Sequence, residues 1–262
     1  MILDSEGSIE IINKVYENEK EFVDLFSSSF NIQVGDLTIT RFHDDGLRDM
    51  YDHNFSQLDY IDEEIFSNLL KIKNDRSENF VKIFSDKPLD FLKEKEFELC
   101  EVITMLKEDY LDFPIPHNYL IEYKNVRENE DIINDVIANE IIYYGKEYGI
   151  DFCIRRWNHY FNKIKEGENG LNIFACYHQN KYIGSCYAYY HNGVVCVDAL
   201  LVIEEYRKQY VASNLLRYIA HFYNCPIYLH AEEEGTPKEM YLKLGFKPIA
   251  KFYDYLLLDK EK

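Results

Sequence analysis

The sequence predicts an α/β fold (α+β in the ordering of its elements). A mixed central sheet flanked by helices occupies residues 118–262, and a smaller α/β domain occupies residues 1–117. Three observations carry this reading. Strand-type runs and helical stripes alternate cleanly in the second half, in the order β-α-α-β-β-β-α-β-α-β. The segment DYLDFPIPH, from Asp109 to His117, holds two prolines two apart, which forbids helix and marks extended chain between the halves. The charge is also uneven: residues 1–117 carry 12 Lys+Arg against 27 Asp+Glu, so −15 of the net −18 lies there.

In the first half, apolar residues at Ile9, Ile12, Val15, Tyr16, Val23 and Phe26 predict a helix over 9–27. Leu37 to Thr40 reads as a short strand, and the Asp-rich stretch from Arg41 to Tyr60 as loop, with His43 and His53 exposed. A helix over 61–73, a strand over 80–84, a short helix over 89–96 and a strand over 97–106 follow.

In the second half, Tyr119 to Tyr123 is a strand. Glu130 to Tyr144 is a helix stopped near Gly145, and Asp151 is placed to cap another helix with the stripe Trp157, Tyr160, Phe161 and Ile164. Leu171–Tyr177 and Tyr182–Tyr190 are strands. The hairpin signal His191-Asn192-Gly193 leads into a third, Val194–Ile203. Val211, Leu215, Leu216, Ile219, Phe222 and Tyr223 share a helical face, and Pro226–His230 is the next strand. Thr236-Pro237-Lys238-Glu239 has the form of a capped helix start; Gly245 ends that helix, and Phe246–Leu258 completes the sheet.

The stretch from Val194 to Leu216 organises this half. A strand runs into an acidic turn at Glu204-Glu205, then two cations, Arg207 and Lys208, then a helix N-terminus. The unpaired N–H groups of a first helical turn and the positive end of its dipole form a site for phosphate. This predicts a phosphate-bearing ligand without fixing a reaction.

Composition excludes other classes. An acidic chain without a basic face is not a nucleic-acid binder. No run approaches the roughly 20 apolar residues of a membrane span. Acidic residues precede the first Lys, unlike a signal or transit peptide, so a cytoplasmic location is expected. The six cysteines form no C-x-x-C pair and the eight histidines no metal-ligand spacing, so reduced structural thiols and no metal are expected. The acidic first half serves solubility or, more pointedly, draws a cationic substrate.

Two motifs in this order resemble the GNAT superfamily of acyl-CoA-dependent N-acetyltransferases. Arg207, Tyr210 and Ala212 fall on the family's (Arg/Gln)-x-x-Gly-x-(Gly/Ala) signature. Met240-Tyr241-Leu242-Lys243-Leu244-Gly245-Phe246 is similar to its Leu-Tyr-x-Lys-x-Gly-Phe run. The resemblance covers about residues 118–258. It implies acetyl-CoA as cosubstrate, with its pyrophosphate on the N–H groups of Gln209, Tyr210, Val211, Ala212 and Ser213, assisted by Arg207 and Lys208. Its pantetheine arm would lie along Leu200, Leu201 and Val202, where two strands splay, as an added strand. Thr236 stands nearest the place of an Asn that the family often uses. Tyr210 departs from the pattern, because glycine there admits phosphate without a Cβ and adopts positive φ freely.

The resemblance further implies that Tyr241 protonates the departing sulfur and that a strand N–H near Val202 polarises the carbonyl. Asp198, the one charge inside an apolar strand, is the first candidate for base, on the expectation that burial would raise its pKa. A paired structural carboxylate or a solvent-facing one are the other readings of it, and Glu232 and His230 are alternative bases. The expected acceptor is a primary amine of a small molecule or peptide, and the acidic first half favours a cationic one. No nucleic acid and no membrane partner are expected, and the chain is a monomer or homodimer. Phe91 to Phe97 and its following strand echo Tyr241 to Phe246, which suggests a degenerate GNAT-like first half without a cofactor loop; an unrelated α/β cap is the alternative. The competing function is an acyl-CoA-binding or interaction protein that has lost turnover.

Overall fold

A computed structural model describes residues 6–117 and 120–259. The helices are α1 (Glu6–Phe26), α2 (Glu63–Asp75), α3 (Ile132–Tyr144), α4 (Ile150–Lys165), α5 (Val211–Tyr223) and α6 (Thr236–Lys243). The strands are β1 (Ser28–Val34), β2 (Leu37–His43), β3 (Ser56–Gln57), β4 (Phe80–Ser85), β5 (Glu98–Lys107), β6 (Ile121–Asn125), β7 (Leu171–His178), β8 (Lys181–His191), β9 (Val194–Val202), β10 (Ile227–Glu232) and β11 (Lys247–Leu258). The mixed α/β class expected from the sequence is the class observed.

The chain folds into two compact units that interleave along the sequence. One holds residues 1–21, 105–230 and 239–249; the other holds 22–104, 231–238 and 250–262. The sequence division at 117/118 follows the chain, whereas the units exchange segments: α1, β5, β10 and β11 each have residues in both.

In the first unit the strands order β10-β9-β8-β7-β6. All neighbours are antiparallel except β9 and β10, which are parallel. The β8–β9 hairpin closes through Asn192 and Gly193, both at positive φ, as two-residue turns of this twist require. The two sheet faces are covered by different helices. Tyr187 packs against Trp157 and Tyr160 of α4, with the Tyr160 ring centroid at 4.9 Å. Phe174, whose ladder partner is Cys186, packs against Tyr218, Phe222 and Tyr223 of α5. Neighbouring residues 186 and 187 point to opposite faces, so α4 and α5 lie on opposite sides of the sheet. Helix α1 covers the α4 side through Val15, which joins Leu106, Val194, Cys196 and Tyr228 in one buried cluster.

In the second unit the order is β1-β2-β3-β4-β11. Ile39, Ile65, Leu69, Ile83, Leu92 and Tyr255 form its core. Helix α2 starts at Asp62, whose carboxylate accepts from the Ile65 N–H at 2.9 Å.

Three sequence expectations change in detail. The polar segment 41–60 is not all loop, because β2 runs on to His43 and Ser56–Gln57 pairs with it as β3. His53 is buried rather than exposed: its Nδ1 meets Asp44 Oδ2 at 2.9 Å and its ring stacks on Phe26. Asp151 lies within the first turn of α4, after the N-cap Gly149, and accepts from Arg155 Nε at 2.7 Å. Strand β1, absent from the sequence expectations, carries a period-two alternation, Phe30, Ile32 and Val34 between Asn31 and Gln33, and Val34 is buried in the second unit's core.

Candidate acyl-carrier cleft

The site begins where β9 and β10 part. Their parallel ladder consists of Ile227 opposite Val195 and Tyr228 opposite Cys196; β9 then continues to Val202 without β10 as a partner. On its other edge β9 stays paired with β8, but with a bulge. Ser185 pairs with Leu201 and Tyr187 with Asp198, so Ala199 and Leu200 together face Cys186. Ala199 takes the strain at φ +51°.

The bulge changes which backbone groups face the open edge. The Val195 N–H donates to the Pro226 carbonyl, toward β10, while the Ile203 N–H donates to the Ile183 carbonyl, toward β8. Unbroken alternation would aim both the same way, so the extra residue has reversed the phase. After it, the N–H groups of Leu200 and Val202 point to the side that β10 has left. An isolated glycine on the neighbouring strand fits this closeness: a Cβ on Gly184 would stand 2.6 Å from the Leu201 carbonyl oxygen. Glycine inside a strand pattern was the sequence signal for it.

The loop after β9 is set at the same end. A short 3-10 turn, Glu204–Tyr206, leads to Arg207 in extended backbone. Lys208 and Tyr210 follow, both at φ +61°. Tyr210 is the N-cap of α5, and its ring points outward, 53% exposed. The first helical bond is from the Asn214 N–H to the Tyr210 carbonyl at 2.9 Å. The N–H groups of Val211, Ala212 and Ser213 therefore have no partner within the helix. Gln209 fixes the loop from the side, its Nε2 donating to the Glu205 carbonyl at 2.8 Å. Arg207 Nε donates to the Val202 carbonyl at 3.0 Å, and its guanidinium lies over the Tyr143 ring at 5.5 Å. Tyr143 in turn accepts from the Glu204 N–H at 2.7 Å. Nothing in the sequence pattern pointed to Tyr143.

Asp198 is exposed, so the buried acid expected from its apolar neighbours is not what the fold provides. Its Oδ2 accepts from the Tyr187 hydroxyl and its Oδ1 from the Ala199 N–H, each at 2.6 Å. Its neighbours in the strand are apolar, yet Asp198, paired with Tyr187 on the same face as Val194 and Cys196, lies at a point of that face that is open. Burial, reinforced by the Asp198 charge, pushes the Tyr187 phenol well above its ordinary pKa, so it remains a donor.

Tyr241 is 6% exposed on α6 and packs on Phe246. Burial, then the charge of Asp198, raises its phenol pKa, which places it within electrostatic reach of the bulge. Gly245, at φ +87°, ends α6: the Phe246 N–H donates to the Tyr241 carbonyl and the Gly245 N–H to the Leu242 carbonyl. Of the other candidates, His230 Nε2 meets Glu19 Oε1 at 2.9 Å, and Glu232 is exposed at the end of β10. The side chain of Thr236 lies outside the described residues.

Strand bulge, open parallel fork and anion loop thus stand together in one unit. The family model of the Acetyltransferase (GNAT) domain matches residues 169–248, which span β7 through the start of β11. The chain carries a GNAT domain. A comparison with curated proteins gives no match. Among solved structures, the chain is similar to a functionally unknown conserved protein from Staphylococcus epidermidis ATCC 12228 (TM-score 0.70, 16% identity, 91% of this chain and 98% of that one). It is also similar to a GCN5-related N-acetyltransferase from Kribbella flavida (TM-score 0.60, 10% identity, 95% of each chain). A tandem GNAT protein from the clavulanic acid biosynthesis pathway matches with TM-score 0.53 and 11% identity, over 94% of this chain and 96% of that one. At these identities the likeness is one of fold, and it extends over both halves of the chain. Among the described residues no helix is long and apolar enough to cross a membrane.

Proposed function

We propose that the GNAT domain transfers an acetyl group from acetyl-CoA to a primary amine of a small molecule or peptide. The observation that carries this is the open edge of β9 beyond the Ala199 bulge, ending at the unpaired N–H groups of α5. The residues fit the cosubstrate by type. Val211, Ala212 and Ser213 offer backbone donors to a pyrophosphate, and Arg207 and Lys208 offer charge. Leu200 and Val202 offer N–H groups to an amide-bearing arm in the manner of strand addition.

Acetyl-CoA supplies an activated acetyl thioester when bound. The chain's own part is to hold and move protons around it. The Val202 N–H, held in β9 by the register of Val202 opposite Gly184, is a preorganised donor toward developing negative charge. Asp198, exposed beside the bulge and held by Tyr187, receives the proton that an ammonium must lose before it attacks. Tyr241 keeps its proton through the neutral range, because burial raises its phenol, and can give that proton to a leaving thiolate. The excess of acid in residues 1–117 favours a cationic acceptor, and a cytoplasmic location agrees with the reduced thiols.

A second reading is favoured by one observation. Lys208 and Tyr210 both occupy left-handed backbone where glycine is at ease, and a tyrosine Cβ stands at the phosphate approach. An acyl-CoA-binding protein without turnover would tolerate such a loop.

Calorimetric titration of the full chain with acetyl-CoA, followed by thiol-release assays with amines, polyamines and peptides, separates the two. One-site binding with amine-dependent thiol release supports the transferase. Binding without release supports the second reading. No binding by either the wild-type chain or Tyr210→Gly overturns both.

A further inference from the structure

We propose that Glu19, Cys196 and His230 form a three-ligand site for a divalent cation of the zinc class, on the α1-covered face where β9 and β10 part. The three residues come from α1, β9 and β10, and their donor atoms all lie within 4.8 Å of one another. They are a carboxylate oxygen, a thiol sulfur and an imidazole nitrogen, the donor types zinc takes, at bonds of about 2.0–2.3 Å. A tetrahedral ion needs its ligand atoms about 3.5 Å apart. Glu19 and His230 are closer than that, at 2.9 Å, and half-buried, so binding an ion would spread them apart.

The fold brings these three together for a reason. Cys196 and Tyr228 are the last paired residues of the parallel ladder, and Cys196, Tyr228 and His230 share the face that α1 covers. Helix α1 is held there by Asn18, the neighbour of Glu19, whose Oδ1 accepts from the Tyr228 hydroxyl at 2.7 Å.

Without an ion, His230 Nε2 and Glu19 Oε1 face each other at 2.9 Å across the set. A bound cation takes the place of that direct contact and takes Cys196 as thiolate, releasing the thiol proton to solvent. Three protein donors leave a fourth position for water. With Cys196 at the last rung and His230 just past it, the bound ion ties β9 to β10 where they separate. The residues are 34 and 177 positions apart in sequence, which is why no ligand spacing announced them.

The test uses the reduced, chelator-stripped full chain. Zinc is titrated in competition with a chromophoric chelator, and cobalt is then added in its place as a spectroscopic probe. The expected result is one equivalent of zinc, and a cobalt complex with thiolate charge-transfer absorption that disappears in Cys196→Ala. Glu19→Gln and His230→Gln are each expected to weaken zinc binding by at least about tenfold. These two positions are half-buried, so their variants decide the matter even if Cys196→Ala fails to fold. Absence of stoichiometric binding, or binding unchanged in Glu19→Gln and His230→Gln, overturns the proposal. Either result stands independently of acetyl-CoA.

Discussion

Arg207 Nε donates to the carbonyl of Val202 at 3.0 Å, joining the first residue of the anion loop to the last residue of the open strand. One side chain thereby fixes two parts of the cleft: the end of β9 at the Val202 carbonyl, and the path of the loop toward α5. Replacing Arg207 by Ala removes the pin and a cation together. Acetyl-CoA affinity should fall about tenfold to a hundredfold, the worth of one charge-assisted contact. Arg207→Lys keeps the charge but cannot donate from Nε while reaching phosphate, so it should fall between the two. Calorimetric dissociation constants for the three proteins check this ordering.

Tyr210 caps α5 at φ +61°. A left-handed residue with a Cβ costs about 1–2 kcal/mol, while glycine gives back about 0.5–1 kcal/mol through the entropy of the unfolded chain. Tyr210→Gly should therefore stabilise the protein by about 0.5–1 kcal/mol, since its exposed ring contributes little packing. Urea midpoints measure it. The same change clears the phosphate approach, so acetyl-CoA binding should tighten as well.

The Tyr241 phenol is a proton donor only if its removal matters to turnover. Tyr241→Phe keeps the packing on Phe246 and is expected to lower kcat by about 10²- to 10⁴-fold with little change in acetyl-CoA affinity. Steady-state kinetics with the best amine found, beside calorimetry, separate the two effects. Asp198→Asn should reduce kcat/KM most at low pH, where ammonium acceptors depend on a base.

Much of this fold was legible because local rules and global fold agree. The hairpin turn at Asn192-Gly193, the stop at Gly245 and the helical stripes of α4 and α5 each follow from residue type and spacing. The loop between β9 and α5 was legible as a structure for the same reason, since a strand, two cations and a helix start are contiguous. What stayed hidden depends on pairing between distant segments. Asp198 looked buried because its neighbours are apolar; which part of its sheet face stays open is set by distant segments, and the bulge that follows it appears only in the register against β8. His53 looked like loop surface because its partner Asp44 and the stacking ring of Phe26 are conferred by folding. Interleaving of the two units is likewise invisible to composition.

Asn18 is fully buried on α1 and serves three carbonyls, those of Tyr189, His191 and Val194, while accepting from Tyr228 at 2.7 Å. Asn18→Ala removes a donor that the β8–β9 hairpin uses and strands the Tyr228 hydroxyl. A buried polar group left unpaired costs about 1–3 kcal/mol, and here more than one is affected, so a loss of about 2–4 kcal/mol is expected. Asn18→Asp should be at least as harmful, because a carboxylate repels the three carbonyls. Equilibrium unfolding in urea tests both.

Asp254 on β11 accepts from the buried Lys82 at 2.7 Å, yet its Oδ1 is buried without a partner. Burial outweighs the attraction of Lys82, and the carboxyl is pushed up to about 6. The unfolded chain titrates near the ordinary value of about 3.9, so over this interval the native state binds the proton more tightly. The contribution of Asp254 to stability is thus complete below about pH 4 and is lost as pH rises toward about 6. Asp254→Asn cannot titrate, so the difference between variant and wild-type unfolding free energies should drift in favour of Asn across that interval and then level off. At the acid end the variant shows only the cost of a weaker bond to Lys82, which retains Asp52 at 3.4 Å. Urea unfolding at half-unit pH steps reads the drift, and parallel curves for the two proteins would show that Asp254 titrates in the folded state as it does in the unfolded chain.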